Sequence, residues 1–241
     1  MAQENKPLTP LGWGGSLMIF GFFSILLILE TRYLIPFLSQ LTGIEIVVSW
    51  FLVAALGIFI PLLLLAIFLL DREGLAWNRR LWQERLRFKK LTASDLKWTL
   101  AGFLAIMAGS LLIIELMTAF AGSFHSQPPF MTFDALGPGR YWILAVWFPY
   151  WIFNIMGEEI LWRGVLFPRQ EAKFGRWTWL VHGFCWGLFH IAFGWKLLVT
   201  LLPILFIQSF VVQKTQNTWT GVILHAGING PSFVAISLGA L

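Results

Sequence analysis

Cysteine and charge are scarce in this sequence, and each shortage removes a class of protein. Cys185 is the single cysteine among 241 residues, so an intramolecular disulfide is excluded. It lies in an apolar run without a second thiol or an activating partner, which argues against a cysteine nucleophile. Charged residues make up only 12% of the chain and hydrophobic residues 58%, a balance typical of a helical membrane protein.

Several familiar signatures are missing as well. Regular alternation of polar and apolar residues is absent, which argues against a transmembrane β-barrel. The chain contains no Gly-Lys-Thr phosphate loop, no His-Glu-x-x-His zinc pair and no Gly-x-Ser-x-Gly elbow. The net charge is +5, but the basic residues collect in loops beside apolar runs, so no nucleic-acid partner is expected.

The sequence is instead dominated by apolar runs of the length that crosses a bilayer, about 20 residues in a helix. We expect an all-α, polytopic transmembrane helical bundle of about seven spans, with an eighth short or re-entrant helix as the alternative. The expected spans cover residues 11–29, 46–70, 100–121, a stretch that starts at 141, then 177–193, 196–212 and 218 to the C-terminus. The N-terminus lacks a basic region and a cleavage site, so we expect the first run to remain as a span.

Polar residues near the first spans predict where those spans end. Residues 30–32 (Glu-Thr-Arg) are expected to mark the exit of the first span. Pro61 is expected to kink the second span, because proline removes a backbone hydrogen bond. Glu30 and Glu115 lie near predicted span ends, so we expect both side chains to reach water by snorkelling.

The long polar segment 71–97 is strongly basic, with tryptophan, leucine and phenylalanine interleaved among its arginines and lysines. This pattern predicts a cytoplasmic loop with an interfacial amphipathic helix. The positive-inside rule then places the N-terminus in the cytoplasm, and we expect an integral protein of a bacterial inner membrane. We divide the chain into residues 1–140, with three spans and the basic loop, and residues 141–241, a transmembrane core with the polar motifs described next.

The most unusual stretch, residues 156–164, places two acids and an arginine inside an apolar region. A charge at bilayer depth costs about 2.5–3.5 kcal/mol on insertion scales, so such residues are rare and usually functional. Neighbouring helical residues point in different directions, so Glu158 and Glu159 cannot occupy the same place. Glu159 and Arg163 have the spacing of an ion pair on one helix face, which leaves Glu158 free to act. The alternative is a charge network of all three that holds helices together.

A count along the chain pairs Glu158 with His190. Phe174-Gly175 is a plausible turn between the fourth and fifth spans, and each of the two residues lies sixteen positions from Phe174. That separation is about 24 Å of helix on either side, so antiparallel helices would place carboxylate and imidazole at a similar depth. His182 lies two turns nearer to the predicted turn and is a weaker candidate for the same site.

The last span adds His225 and Asn229, which are four residues apart and therefore share one helix face. Gly227 between them leaves room for a neighbouring helix or a substrate backbone. The alternative is two buried polar side chains that cross-link helices. His225 is expected about a dozen ångströms below the inner surface, which agrees with the depth of the Glu158–His190 pair only if the turn projects into the cytoplasm.

These residue types suit hydrolysis without a side-chain nucleophile and without a cofactor. A buried glutamate such as Glu158 takes a proton from water near neutral pH, while His190 holds and polarises that water. His225 and Asn229 donate hydrogen bonds to the oxyanion that forms on a carbonyl. Alternatively, Glu158, His190 and His225 ligate zinc, which lowers the pKa of bound water to about 7. The residues leave both versions open.

Three patterns occur in order on three apolar spans, namely Glu158-Glu159-x-x-x-Arg163, Trp186-x-x-x-His190 and His225-x-x-x-Asn229. Over residues 141–241 the chain thereby resembles the CPBP family of intramembrane proteases, which includes the CAAX prenyl endopeptidases. The resemblance implies a glutamate-dependent endopeptidase with a cavity open to the cytoplasm. It implies Glu158 as the base, His190 as its partner on the water, and His225 and Asn229 as the oxyanion site.

Two positions depart from the family pattern. Trp186 stands where the second motif usually has Phe, and Trp162 stands where Phe commonly precedes the arginine. Both exchanges keep an aromatic ring, so we expect them to alter the shape of the cavity and not the chemistry.

The expected function is therefore an intramembrane endopeptidase for a membrane-tethered, lipidated or small hydrophobic substrate, with the lipid bilayer as its other partner. The rival hypothesis is a non-proteolytic membrane protein, either an immunity or scaffolding factor or a carrier, in which the same polar cluster is structural. A carrier typically shows repeats or paired broken helices, and the sequence shows no internal repeat.

Overall fold

The computed structural model describes residues 8–122, 124 and 127–240, and within them the chain is helical, with 81% helix and no strand. This confirms the all-α prediction. Four stretches are long and apolar enough to cross a membrane, namely Trp13–Thr42, Ile46–Arg72, Ala93–Ala121 and Trp142–Thr215. The protein is therefore an integral membrane protein, and the count of seven spans stays a prediction.

Eleven α-helices form the described part of the chain. They are α1 (Trp13–Leu29), α2 (Ile35–Thr42), α3 (Ile46–Ala54), α4 (Ile60–Arg72), α5 (Arg79–Arg85), α6 (Ala93–Ala121), α7 (Trp142–Glu158), α8 (Phe167–Phe174), α9 (Thr178–Phe189), α10 (Gly194–Thr215) and α11 (Thr218–Ser237). Three π-helical turns join neighbours without a break, at Glu30–Leu34, Ala55–Phe59 and Glu159–Leu166. Two 3₁₀ turns, Gly175–Trp177 and His190–Phe193, flank α9.

The continuous helical stretch Trp142–Thr215 contains the predicted turn. Its 74 residues would extend about 110 Å as one straight helix, more than three times the hydrocarbon thickness of a bilayer. The chain turns instead at two glycines with left-handed backbone, Gly175 at φ +54° and Gly194 at φ +81°. Because α8 ends at Phe174, the predicted turn at Phe174-Gly175 is confirmed.

The first helical stretch continues past the predicted exit of the first span. Helix α1 continues through the π turn Glu30–Leu34 into α2 and ends only at Gly43, which has a φ of +70°. Pro36 has no N–H to bond the carbonyl four residues earlier, and the wider π turn occurs where that bond is missing. The π turn Ala55–Phe59 precedes Pro61 for the same reason. The kink expected at Pro61 in the second span therefore corresponds to a π turn in the structure.

Glu30 does not snorkel, contrary to expectation, because its side chain points into the bundle and is only 4% exposed. Its carboxylate packs against Gly57, and a Cβ added there would clash with Oε1. A larger residue at this contact between two π turns would therefore have to displace the carboxylate. Glu115 on α6 is exposed, as expected.

The basic segment is anchored to the C-terminal half of the chain. The predicted helix in this segment is α5, whose N-cap Asn78 accepts hydrogen bonds from the backbone of Arg80 and Leu81. Arg85 bonds Glu73 at 2.6 Å and also donates to the Gly164 carbonyl at 3.1 Å. The segment therefore supports the backbone of the Glu159–Leu166 π turn.

Glu73 is the acceptor that ties this segment to α8. Arg85 and Arg169 each approach its Oε1 to 2.6 Å. Burial raises the pKa of Glu73, but the hydrogen bonds and charges of Arg85 and Arg169 more than offset that effect. The pKa of this carboxyl therefore lies below its ordinary value, and the ion pairs strengthen as the carboxyl ionises.

Candidate active site

The charged motif begins at the junction between α7 and the π turn Glu159–Leu166, in the centre of the bundle. Glu158 is 2% exposed, and Glu159 and Arg163 are fully buried. The neighbouring Trp162 is also fully buried and stacks on Phe20 with ring centroids 4.1 Å apart. Single π turns within α-helices occur frequently at functional sites, so the location of this one is consistent with a site.

Glu159 is held by three donors on one oxygen. Its Oε1 accepts from Arg163 Nη1 at 3.1 Å, from Gln208 Nε2 at 2.8 Å and from His225 Nδ1 at 2.9 Å. The predicted Glu159–Arg163 ion pair is therefore confirmed. The sequence interpretation missed Gln208 on α10, although an amide inside an apolar span was the signal that could have found it.

Glu158 has different partners. Asn154 Nδ2 donates to Oε1 at 2.8 Å, and Trp186 Nε1 donates to Oε2 at 2.7 Å. The sequence interpretation also missed Asn154, which lies one helical turn before Glu158 and so shares its face. The expectation that Trp186 alters cavity shape and not the chemistry stays a prediction, and the structure adds that its indole N–H bonds the candidate base directly.

Trp186 on α9 is the side chain around which the predicted site residues gather. Its carbonyl accepts a hydrogen bond from His190 Nδ1 at 2.9 Å. Its ring lies 5.2 Å from that of His190 and 5.4 Å from that of His225, measured between centroids. Glu158, His190 and His225 thus come together from α7, the end of α9 and α11. Among the described residues, no direct hydrogen bond joins Glu158 to His190.

The hydrogen bonds determine which histidine nitrogens carry protons. A carbonyl oxygen only accepts, so His190 Nδ1 must carry a proton to bond Trp186. An ionised Glu159 also only accepts, so His225 Nδ1 must carry one as well. In both rings Nε2 makes no hydrogen bond within the described part of the chain. A neutral ring offers a lone pair there, whereas a protonated ring offers an N–H.

Asn229 lies one turn after His225 on α11 and is partly exposed. Its side chain makes no hydrogen bond within the described part of the chain, so its amide is available to a substrate. His182 belongs elsewhere, since its Nδ1 lies 2.7 Å from Gln170 Oε1, whose amide bonds Ser16. The structure therefore separates His182 from the candidate site.

The zinc alternative would use Glu158, His190 and His225 as the ligands. Across residues 8–122, 124 and 127–240, no group of three or more His, Cys, Asp and Glu side chains is placed to hold a metal ion. Both Glu158 oxygens already accept hydrogen bonds from Asn154 and Trp186.

Comparison with known proteins identifies the same region. Residues 140–230 match the family described as Type II CAAX prenyl endopeptidase Rce1-like. This confirms the predicted resemblance to CAAX-type membrane proteases over that part of the chain, and the family implies a protease. No curated protein and no solved structure gives a significant match.

Proposed function

From the match of residues 140–230 to the Rce1-like family, we propose that the chain is an intramembrane endopeptidase that uses a glutamate-activated water. The observation that supports this most strongly is the convergence of Glu158, His190 and His225 around the buried Trp186. These side chains come from separate helices, and a base and two imidazoles are the groups that water activation needs.

Glu158 acts as the general base. It takes one proton from a water molecule whose oxygen attacks the scissile carbonyl carbon, and the carbonyl π electrons move to the oxygen. His190 positions the water through Nε2, since its Nδ1 is already bound to the Trp186 carbonyl. Glu158 then returns the proton to the leaving nitrogen as the C–N bond breaks. Asn154 and Trp186 keep the carboxylate in place throughout.

His225 and Asn229 form the proposed oxyanion site. The Asn229 amide donates directly, because its side chain has no other partner in the described structure. For His225 to donate through Nε2, the ring must be doubly protonated, since Nδ1 already donates to Glu159. The carboxylate of Glu159 stabilises that imidazolium. Glu159 therefore serves the reaction through His225 and not as a second base.

The proposed substrate is a membrane-tethered, lipidated or small hydrophobic peptide, cleaved near the cytoplasmic interface. Large apolar side chains such as Met18, Phe22 and Leu104 are exposed on the outer surface of the bundle, as expected for contact with lipid. The candidate site lies among these helices, so a membrane-bound substrate reaches it most directly. The bacterial inner membrane and the cytoplasmic N-terminus belong to this proposal.

The first prediction tests the base. Purified protein in lipid vesicles is incubated with membrane-anchored peptides, and cleavage is followed by mass spectrometry. We expect Glu158→Gln to lower the cleavage rate at least about 10²–10⁴-fold, the usual contribution of general acid–base catalysis. Glu115→Gln is the matched control, because Glu115 is an exposed glutamate on another apolar helix, and it should retain full activity.

Full activity in Glu158→Gln would refute the mechanism. If wild-type protein cleaves none of the peptides and Glu158→Gln keeps the cellular phenotype, the non-proteolytic scaffold or immunity hypothesis is favoured. Metal analysis and chelator treatment of the active protein test the zinc alternative, and activity that tracks zinc content would support it.

A further inference from the structure

On the basis of the proposed function, we infer that Trp186 is a positioning residue whose indole N–H orients the Glu158 carboxylate and stabilises its ionised form. The bond from Nε1 to Oε2 is 2.7 Å long, and Trp186 is only 1% exposed. A short bond between buried groups does not compete with bulk water, so it constrains the acceptor strongly.

This hydrogen bond is specific to Trp186. Trp151 and Trp162 also have buried indole nitrogens, and neither nitrogen has a hydrogen-bond partner within the described part of the chain. Burial alone therefore does not give an indole N–H a hydrogen-bond partner among the described residues. Trp186 differs because its N–H meets the one acid that the proposed mechanism uses as a base.

The indole is itself fixed on several sides. The Arg163 guanidinium carbon lies 3.6 Å from the centroid of its ring, a cation–π contact on the ring face. Arg163 is tied to Glu159, and the indole ring also contacts the imidazole rings of His190 and His225. The face contact and the in-plane N–H act at once, so the donor cannot rotate away from Glu158 without loss of these contacts.

The two oxygens of Glu158 have one neutral donor each, Asn154 on Oε1 and Trp186 on Oε2. Two donors on opposite oxygens set the plane of the carboxylate and leave each oxygen a second lone pair for a water proton. Hydrogen bonds to the charged form favour ionisation. Loss of the indole donor should therefore weaken the hold on the charged carboxylate and allow it to turn.

Trp186→Phe isolates the N–H, because phenylalanine keeps an aromatic ring under Arg163 and has no donor. We expect kcat to fall about 10- to 100-fold, the worth of a hydrogen bond to a charged group, with KM within about twofold. The acid limb of the pH–kcat profile should move upward by about one pH unit.

Trp162→Phe is the matched control, since it removes an indole N–H that bonds no described residue and also reduces core packing. Its acid limb should coincide with that of the wild type, whatever it does to stability. Asn154→Leu removes the donor on the other oxygen and should shift the acid limb in the same direction as Trp186→Phe. An unshifted acid limb in Trp186→Phe, or an equal shift in Trp162→Phe, would overturn the assignment.

A spectroscopic test covers the case in which Trp186→Phe does not fold. In ¹⁵N-tryptophan-labelled protein, Glu158→Gln should move the Trp186 indole N–H resonance and leave that of Trp162 in place. An unmoved Trp186 resonance contradicts the inference. Failure of the proposed protease function is a separate result. In that case the wild-type protein cleaves no peptide, while the Trp186 indole resonance still moves in Glu158→Gln.

Discussion

Glu158 and Glu159 are adjacent in the chain and almost equally buried, yet the protein holds them in different ways. Glu159 accepts from a guanidinium, an amide and an imidazole on a single oxygen. Glu158 accepts from one amide and one indole, both neutral, on separate oxygens. Glu159 is tied to a buried cation, whereas Glu158 has one neutral donor on each oxygen and keeps a second lone pair on each for a water proton. The comparison assigns to Glu159 the support of Arg163 and His225, and to Glu158 the role of the base.

The largest expected effect on stability follows from Glu159→Gln. This change leaves Arg163 buried without its counter-charge, and the loss of one partner of a buried pair typically costs about 3–5 kcal/mol. Glu158→Gln removes no cation partner and leaves one neutral donor without an acceptor, a cost of about 1–2 kcal/mol. Thermal unfolding temperatures of the two variants are compared in detergent. Equal unfolding temperatures would contradict the distinction between the two glutamates.

The next effect concerns the reaction and not the fold. Asn229→Ala should lower kcat about 10²–10³-fold, the usual result of removing one oxyanion donor, with KM and unfolding temperature nearly unchanged. Stability should not change, because the amide is partly exposed and has no hydrogen-bond partner in the described structure. Ser232→Ala, another partly exposed polar position on α11, is the control. A kcat loss shared by Ser232→Ala would remove Asn229 from the oxyanion site.

The smallest expected effect lies at the edge of the bundle, where Glu73 joins Arg85 and Arg169. The pKa of Glu73 is lowered from an ordinary value of 4.5, so its contribution to stability is present above pH 4.5 and is lost as the pH falls through the lowered pKa. Glu73→Gln should remove this part of the decrease in stability at low pH. A contribution of about 1 kcal/mol corresponds to about 2–4 °C in unfolding temperature. Glu84→Gln, in an exposed pair with Arg80, should leave it intact.

Residue spacing alone predicted much of the site. The four-residue step from Glu159 to Arg163 depends only on helix geometry and appears as their ion pair. Glu158 and His190 are equally distant from Phe174 in the chain, and both bond Trp186. His225 joins the same cluster through its bond to Glu159 and its ring contact with Trp186.

The contacts that were missed depend on tertiary packing. Gln208 reaches Glu159 from a helix 49 residues away in the chain, and no local pattern pairs them. Glu30 is buried because Gly57 on another helix leaves room for its carboxylate. The role of Trp186 depends on where its N–H points, which the choice of an aromatic residue does not reveal.

The most direct test of this account is a paired assay of Glu158→Gln and Glu159→Gln in lipid vesicles, with cleavage and unfolding measured on the same preparations. The account predicts that Glu158→Gln unfolds close to the wild-type temperature and loses at least about 10²-fold in cleavage rate. Glu159→Gln should unfold at a clearly lower temperature and, while folded, should cleave more slowly than the wild type, because His225 loses its carboxylate partner, but faster than Glu158→Gln. If Glu158→Gln cleaved as fast as the wild type and folded Glu159→Gln cleaved no peptide, the two assignments would be reversed and the account contradicted.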